Sequence, residues 1–170
     1  MSDATTRRWA TGIAIGSVAM LVVTAVVLYL SVGRPAGPPY ITGERVDLPV
    51  ALYDGAPRTL LIVARSACSG CQAAKPFLGQ LVTEMRRVAG ARVALVVRQS
   101  SDAEQAFATE LGVSHDEVVA LDLTRFKLRR VPTVLVVDAG GAVRFLHEDA
   151  PIASEQDALV ARYRDALRRP

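Results

Sequence analysis

The sequence predicts an α/β fold, a mixed sheet with flanking helices, preceded by one apolar segment long enough to span a membrane. Three observations carry the prediction. Trp9–Gly33 runs for 25 residues without a charged side chain, and about 20 apolar residues suffice for a spanning helix. Beyond it, short runs rich in Val, Leu and Ile alternate with stretches in which apolar residues recur every three or four positions, in the order β–α–β–α–β–β–α. Gly140-Gly141 joins the last two runs as a hairpin, so that pair is antiparallel in a sheet whose other connections pass through helices. The 170 residues accommodate one domain of ordinary size plus an accessory segment. A net charge of only +3, without blocks of like charge, leaves no electrostatic footprint for nucleic acid.

Residues 1–8 form a short polar tail ending in Arg7-Arg8. In the apolar run that follows, Trp9 and Tyr29 lie near the two ends, as interfacial aromatics do. A cleaved signal peptide is the competing interpretation. Its apolar core is shorter and needs an A-x-A-like site, for which Ser31-Val32-Gly33 is a weak substitute. Arg7-Arg8-Trp9 faintly resembles a twin-arginine export signal, but the length of the run favours an anchor over 9–33. Gly12-x-x-x-Gly16 is a weak helix-dimerisation signal. Arg7 and Arg8 precede the run, whereas Arg34 and Arg45 follow it with Glu44 and Asp47 nearby. The positive-inside rule thus places the tail in the cytoplasm and the domain on the periplasmic or outer side of the cell (inner) membrane, single-pass. Residues 34–44 read as a Pro/Gly linker, and 45–170 as the folded domain.

Within that domain, Arg45–Tyr53 reads as an edge segment and Asp54-Gly55 as a turn. Thr59–Ala64 is a strand, followed by a helix to about Ala89 that buries Ala74, Phe77, Leu78, Leu81, Met85 and Val88. Arg92–Val97 is apolar enough for a strand buried on both faces. Ser101-x-x-Glu104 is a capping box for a helix burying Ala103, Phe107 and Leu111, and Ser114-x-x-Glu117 caps a short turn before a strand at Val118-Val119-Ala120-Leu121. Thr133–Asp138 and Ala142–His147 form the hairpin. Ser154-x-x-Asp157 starts a closing helix with Leu159, Val160, Tyr163 and Leu167 on one face. Helices are expected on both faces of the sheet.

The chemistry centres on Cys68-Ser69-Gly70-Cys71, which holds both cysteines of the chain and lies between a strand and a helix. A C-x-x-C there reads as a dithiol redox site, because unpaired N–H groups and the positive end of the helix favour a thiolate. Cys68, first and most exposed, is the expected nucleophile. Cys71, one turn on, is placed to attack the mixed disulfide that results. No cofactor beyond this dithiol–disulfide pair is called for. Pro76 falls five residues after Cys71, inside the helical pattern, where it removes a hydrogen bond and kinks the helix. Arg130-Val131-Pro132-Thr133 stands immediately ahead of a strand, a place that tolerates proline.

These motifs together are specific. A C-x-x-C closing a strand, a proline five residues later, and a distal Val131-Pro132-Thr133 leading into a strand, Asp138 and a Gly-rich hairpin resemble the thioredoxin fold. With the apolar N-terminus, the chain resembles membrane-anchored thioredoxin-like thiol–disulfide oxidoreductases of the TlpA/ResA type, over about residues 45–170. The resemblance implies a cis Pro132 lying against the dithiol and a Val131 whose backbone pairs with an extended substrate. It also implies an exposed nucleophilic Cys68, a more buried resolving Cys71 and Pro76 positioning the helix. Implied partners are a disulfide-containing protein substrate and a transmembrane electron donor. Implied roles include protein-disulfide reduction outside the cytoplasm and cytochrome c maturation. The chain departs from that family at Ala67, where Trp is usual, at Ile62 and Ala74, where relatives carry a buried acid, and at Arg130, where Gly is usual.

Other readings of the same residues are definite. Taken alone, Pro132 is an ordinary trans strand-entry proline, and only its pairing with the C-x-x-C reverses that. Half a zinc site would need two further ligands, and His115 and His147 lie in unrelated segments. A copper or assembly chaperone of the same fold would hold Cu(I) or a partner through the same thiols. A peroxide-reducing relative would need an isolated peroxidatic cysteine, which the sequence lacks. The arginines at 162, 164, 168 and 169 read as a solvated face of the last helix.

Overall fold

Strand β1 (Arg58–Val63) is buried along its whole length and sits at the centre of a five-stranded sheet. The computed structural model describes residues 20–24, 40–123, 126–128 and 130–168. Residues 1–35 and 36–170 form two separate compact units. Of the expected 9–33 anchor only 20–24 is described, as an exposed helical stretch, and the remainder, with the tail 1–8, lies outside the described residues. Among the described residues no helix is long and apolar enough to cross a membrane.

The second unit runs β1, α1 (Ser69–Ala73), α2 (Lys75–Arg86), β2 (Arg92–Val97), α3 (Asp102–Glu110), β3 (Val118–Ala120), β4 (Thr133–Asp138), β5 (Val143–Glu148) and α4 (Gln156–Arg168). The sheet order is β3-β2-β1-β4-β5. β1 pairs parallel with β2, and β2 with β3, whereas β4 runs antiparallel to both β1 and β5. The strand expected from Val118 forms as Val118–Ala120, an edge strand beside Leu95–Val97 that the order β–α–β–α–β–β–α leaves out.

Four other expectations are corrected. Arg45–Tyr53 pairs with the sheet only at the Arg45–Ala142 bridge and then forms a 3-10 turn at Val50–Leu52. Pro49 cannot donate to a ladder, while the burial of Val46, Leu48 and Leu52 holds the segment against the sheet. Residues 40–44, expected to be linker, already belong to the fold. Tyr40 is buried, Gly43 N–H donates to the Val143 carbonyl, and Val143 N–H donates to that of Glu44. The single long helix is two helices, broken at Ala74, because the ring of Pro76 would strike the carbonyl of residue 72. The chain restarts at Lys75, with Pro76 in the first turn where its missing N–H needs no partner. Ser154 does not cap the last helix; it lies inside a 3-10 turn, Ala153–Glu155, that feeds α4.

The largest difference concerns the layers. Phe77, Leu78, Leu81, Val82 and Met85 of α2, Phe107 and Ala108 of α3, and Leu159, Val160, Tyr163 and Leu167 of α4 share one core with Leu60 and Ile62. All three helices therefore cover one face. The other face, with Leu61, Val63, Val96 and Leu135, is covered by Tyr40, Val46, Leu48 and Tyr53 and by apolar residues between β3 and β4. No α-helix among the described residues contributes to it. Each parallel step from β1 to β2 to β3 moves the same way along the sheet, and right-handed crossovers then put both connections on one side. Gly141 fits the hairpin because its φ is +78° and a Cβ there would come within 2.8 Å of the Tyr53 ring.

Candidate active site

The site forms where β1 ends. Ala64 N–H still donates to the Val96 carbonyl (3.3 Å), and the chain then turns at Arg65, with Cys68 N–H donating to the Arg65 carbonyl (3.1 Å). Cys68 is the N-cap of α1, with extended backbone (φ −91°, ψ 120°). Its sulfur accepts the Cys71 N–H at 3.4 Å, the role that a Ser or Asp oxygen usually plays. Cys68 is half-buried, while Cys71 lies fully inside the helix-covered core, beside Ala74 and Ile62.

The turn before Cys68 is held on three sides. The Glu104 carboxylate accepts from Ser66 N–H (3.0 and 3.1 Å) and from Ser66 Oγ (3.0 Å). Gln72 Nε2 donates to the Ser66 carbonyl at 2.5 Å. Only half of the predicted capping box at Ser101 therefore forms. Ser101 Oγ accepts from Glu104 N–H (3.3 Å), but the Glu104 side chain leaves its own helix for the cysteine loop. The pattern Ser101-x-x-Glu104 marks the residue without revealing this use.

Across from the dithiol, the Val131–Pro132 peptide is cis. The Val131 carbonyl lies 3.7 Å from Cys68 Sγ, and a Cβ on Gly70 would touch Pro132 Cδ at 3.7 Å. Among the described residues the Val131 N–H has no partner. The loop is clamped from behind. Asp149 N–H donates to the Pro132 carbonyl (2.8 Å), Arg130 pairs with the Asp149 carboxylate (2.7 Å), and Thr133 Oγ1 donates to the Arg130 carbonyl (2.6 Å). Tyr163 Oη donates to the Val134 carbonyl (3.0 Å), fixing β4 to α4 just beyond the proline. The structure thus brings together Cys68, Cys71, Val131 and Pro132. Pro76 stays exposed on α2, where it acts through the break at Ala74.

The two thiols differ sharply. Partial burial pushes the Cys68 thiol up, but the N–H groups of Cys71 and Gly70, the Cys71 side chain and the Arg65 charge outweigh it, so its pKa lies below the ordinary thiol value. Burial pushes Cys71 up to about 12, helped by its hydrogen bond to Cys68 and that group's charge. One sulfur is available as a thiolate nucleophile and the other is a reserve thiol held out of water. Ile62 and Ala74 are buried and carry no proton-transfer group. His115 is exposed on a turn far along the chain. His147 faces the helix-covered side of β5, opposite Val134, with Nε2 buried and unpartnered and its pKa lowered by burial. Among the described residues no three His, Cys, Asp or Glu side chains come together as metal ligands.

No family model matches the sequence, and no curated protein matches it by sequence. Solved structures do match. A Chlorobium tepidum protein assigned as thiol:disulfide interchange protein DsbE superposes with a TM-score of 0.57 at 16% identity, over 75% of this chain and 98% of its own. The fold is that of thioredoxin. A thioredoxin domain of a Bacteroides vulgatus thiol-disulfide oxidoreductase matches at 0.52 and 15%, over 73% and 98% of the two chains. A secreted Mycobacterium tuberculosis disulfide oxidoreductase homologous to E. coli DsbE matches at 0.51 and 18%, over 66% and 84%. Against this thioredoxin frame, residues absent from the sequence-level site stand out: Glu104 and Gln72 on the cysteine loop, and Arg65 beside Cys68.

Proposed function

We propose that the protein is a thiol–disulfide oxidoreductase that reduces disulfides of extracytoplasmic proteins, held to the membrane by residues 9–33. The observation that carries this reading is the contrast between a half-exposed Cys68 at the N-cap of α1, 3.7 Å from the Val131 carbonyl of the cis Val131–Pro132 peptide, and a fully buried Cys71 behind it. The Cys68 thiolate attacks one sulfur of a substrate disulfide. That S–S bond breaks, a Cys68–substrate disulfide forms, and the first substrate sulfur leaves as a thiolate that takes a proton. Once Cys68 is in the mixed disulfide, its charge and its hydrogen bond no longer raise Cys71, so the resolving thiol deprotonates more readily. Cys71 then attacks Cys68 Sγ, expelling the second substrate thiolate and leaving a Cys68–Cys71 disulfide. Two electrons have passed to the substrate. With no carboxylate at Ile62 or Ala74, the Cys71 proton goes to water or to the departing sulfur. The unpartnered Val131 N–H supports pairing with an extended substrate backbone.

A transmembrane dithiol donor restores the reduced form, and outward placement follows from the uncharged 9–33 run and the arginines before it. The test uses the full chain in detergent or bilayer. A reducing Cys68/Cys71 potential, with protein-disulfide turnover abolished by Cys68→Ser, is the expected result. Stoichiometric Cu(I) binding by both thiols without turnover contradicts it and favours a metal chaperone.

A further inference from the structure

A cavity of about 220 Å³ opens beside Val131, on the sheet face that has no helix. Its floor is apolar, made by Val63 at the end of β1 and by Leu123, Leu128 and Val131 from the segment leading into β4. Around it stand Arg65, Arg98 and Arg130, and among the described residues no carboxylate lines it. The topology explains the grouping. β1 and β2 are parallel, with Val63 level with Val96, so Arg65 and Arg98 leave their strands at the end of the sheet where Cys68 lies. Arg130 is paired with Asp149. Arg65 and Arg98 have no acceptor among the described residues, and Arg65 is close enough to Cys68 to lower its thiol pKa.

Guanidinium groups gathered over a concavity repel one another until an anion joins them, and their planar forks match a carboxylate. The volume bounds the occupant. Small-molecule and cofactor pockets run to roughly 300–1,000 Å³; this one has room for a side chain. We propose that the cavity is a specificity site which takes an Asp or Glu side chain of the protein substrate, a few residues from the cysteine under attack. The carboxylate meets Arg65 and Arg98, and the aliphatic stem covers Val63 and Leu128. This rests on the oxidoreductase reading and names its substrate class: disulfides flanked by acidic residues. Small anionic disulfides share the carboxylate chemistry and are separated by the test.

The full chain is assayed with three disulfide peptides identical except for Glu, Gln or Lys beside the cysteine, and with oxidised glutathione. The expected kcat/KM order is Glu, Gln, Lys, with about fivefold per step at low salt and convergence as ionic strength rises. Arg98→Glu, which leaves the thiol-tuning Arg65 in place, reverses the order. Equal kcat/KM for the three peptides overturns the proposal while leaving the reductase standing. Glutathione disulfide outrunning every peptide overturns the protein-substrate assignment. If no peptide is reduced, the reductase reading falls, and titration of the reduced, S-methylated peptides into the protein decides the site. Tightest binding of the Glu peptide then upholds it, and equal affinities overturn it.

Discussion

Glu104→Ala isolates the strut that holds the cysteine loop. The substitution leaves the α3 cap intact, because Ser101 accepts from the backbone N–H of residue 104. It removes the acceptor of Ser66 N–H and Oγ, each about 3 Å from a carboxylate oxygen. Hydrogen bonds to a charged acceptor contribute about 1.5–3 kcal/mol each when buried. Ser66 and Glu104 are half-exposed, so water recovers part of that. The expected loss is about 2 kcal/mol, or a Tm lower by roughly 6 °C for a domain of this size. Urea and thermal unfolding of Glu104→Ala, Ser66→Ala and the double variant close a double-mutant cycle. The same proteins are alkylated with iodoacetamide to read the Cys68 thiolate. Coupling near 1 kcal/mol, with slower alkylation of Glu104→Ala at fixed pH, is predicted. Ser66→Ala keeps the backbone N–H, so the cycle reads the hydroxyl bond alone, and zero coupling together with an unchanged Tm for Glu104→Ala would refute the strut.

Three further outcomes follow from the same geometry. At neutral pH the reduced protein takes one alkyl group, on Cys68, and Cys71 reacts only after unfolding; equal labelling of both contradicts the thiol asymmetry. Because the folded Cys71 pKa of about 12 lies above the ordinary 9.0, its thiol favours the fold fully below 9 and loses that contribution as pH rises towards 12. The reduced form should therefore lose stability over that range relative to the oxidised form, which has no such thiol, and parallel unfolding curves across it argue against the burial of Cys71. Gly141→Ala places a methyl against Tyr53 at a positive φ, and should cost about 1–3 kcal/mol in urea unfolding; an unchanged midpoint contradicts the packing of residues 40–53 onto the hairpin.

The strands at 58–63, 92–97 and 133–138 and the buried faces of α2 and α4 were legible because burial imposes a period that local sequence displays. The cis Val131–Pro132 bond was legible only jointly, from its pairing with the C-x-x-C. The single-faced helical layer was not. A periodic helix announces which of its own sides is buried, not which side of the sheet it meets, and the edge strand that sets the connections has only three residues. Glu104 reaches Ser66 across 38 positions, and Arg65, Arg98 and Arg130 meet only because β1, β2 and the entry to β4 end side by side. Contacts at such separations leave no local pattern. Conversely, the absence of a titratable side chain at Ile62 and Ala74 was plain from the sequence, and the structure adds that both are buried.

The division of labour between the two sulfurs is tested most directly by trapping. The full-length Cys71→Ser protein is mixed with a disulfide peptide and followed by intact-mass spectrometry and peptide mapping. One peptide should accumulate as a stable disulfide on Cys68, faster than on a free thiol at the same pH, and none should form on Cys71 in the Cys68→Ser protein. Adducts forming at similar rates on Cys71 of Cys68→Ser, or none on either, would contradict the account.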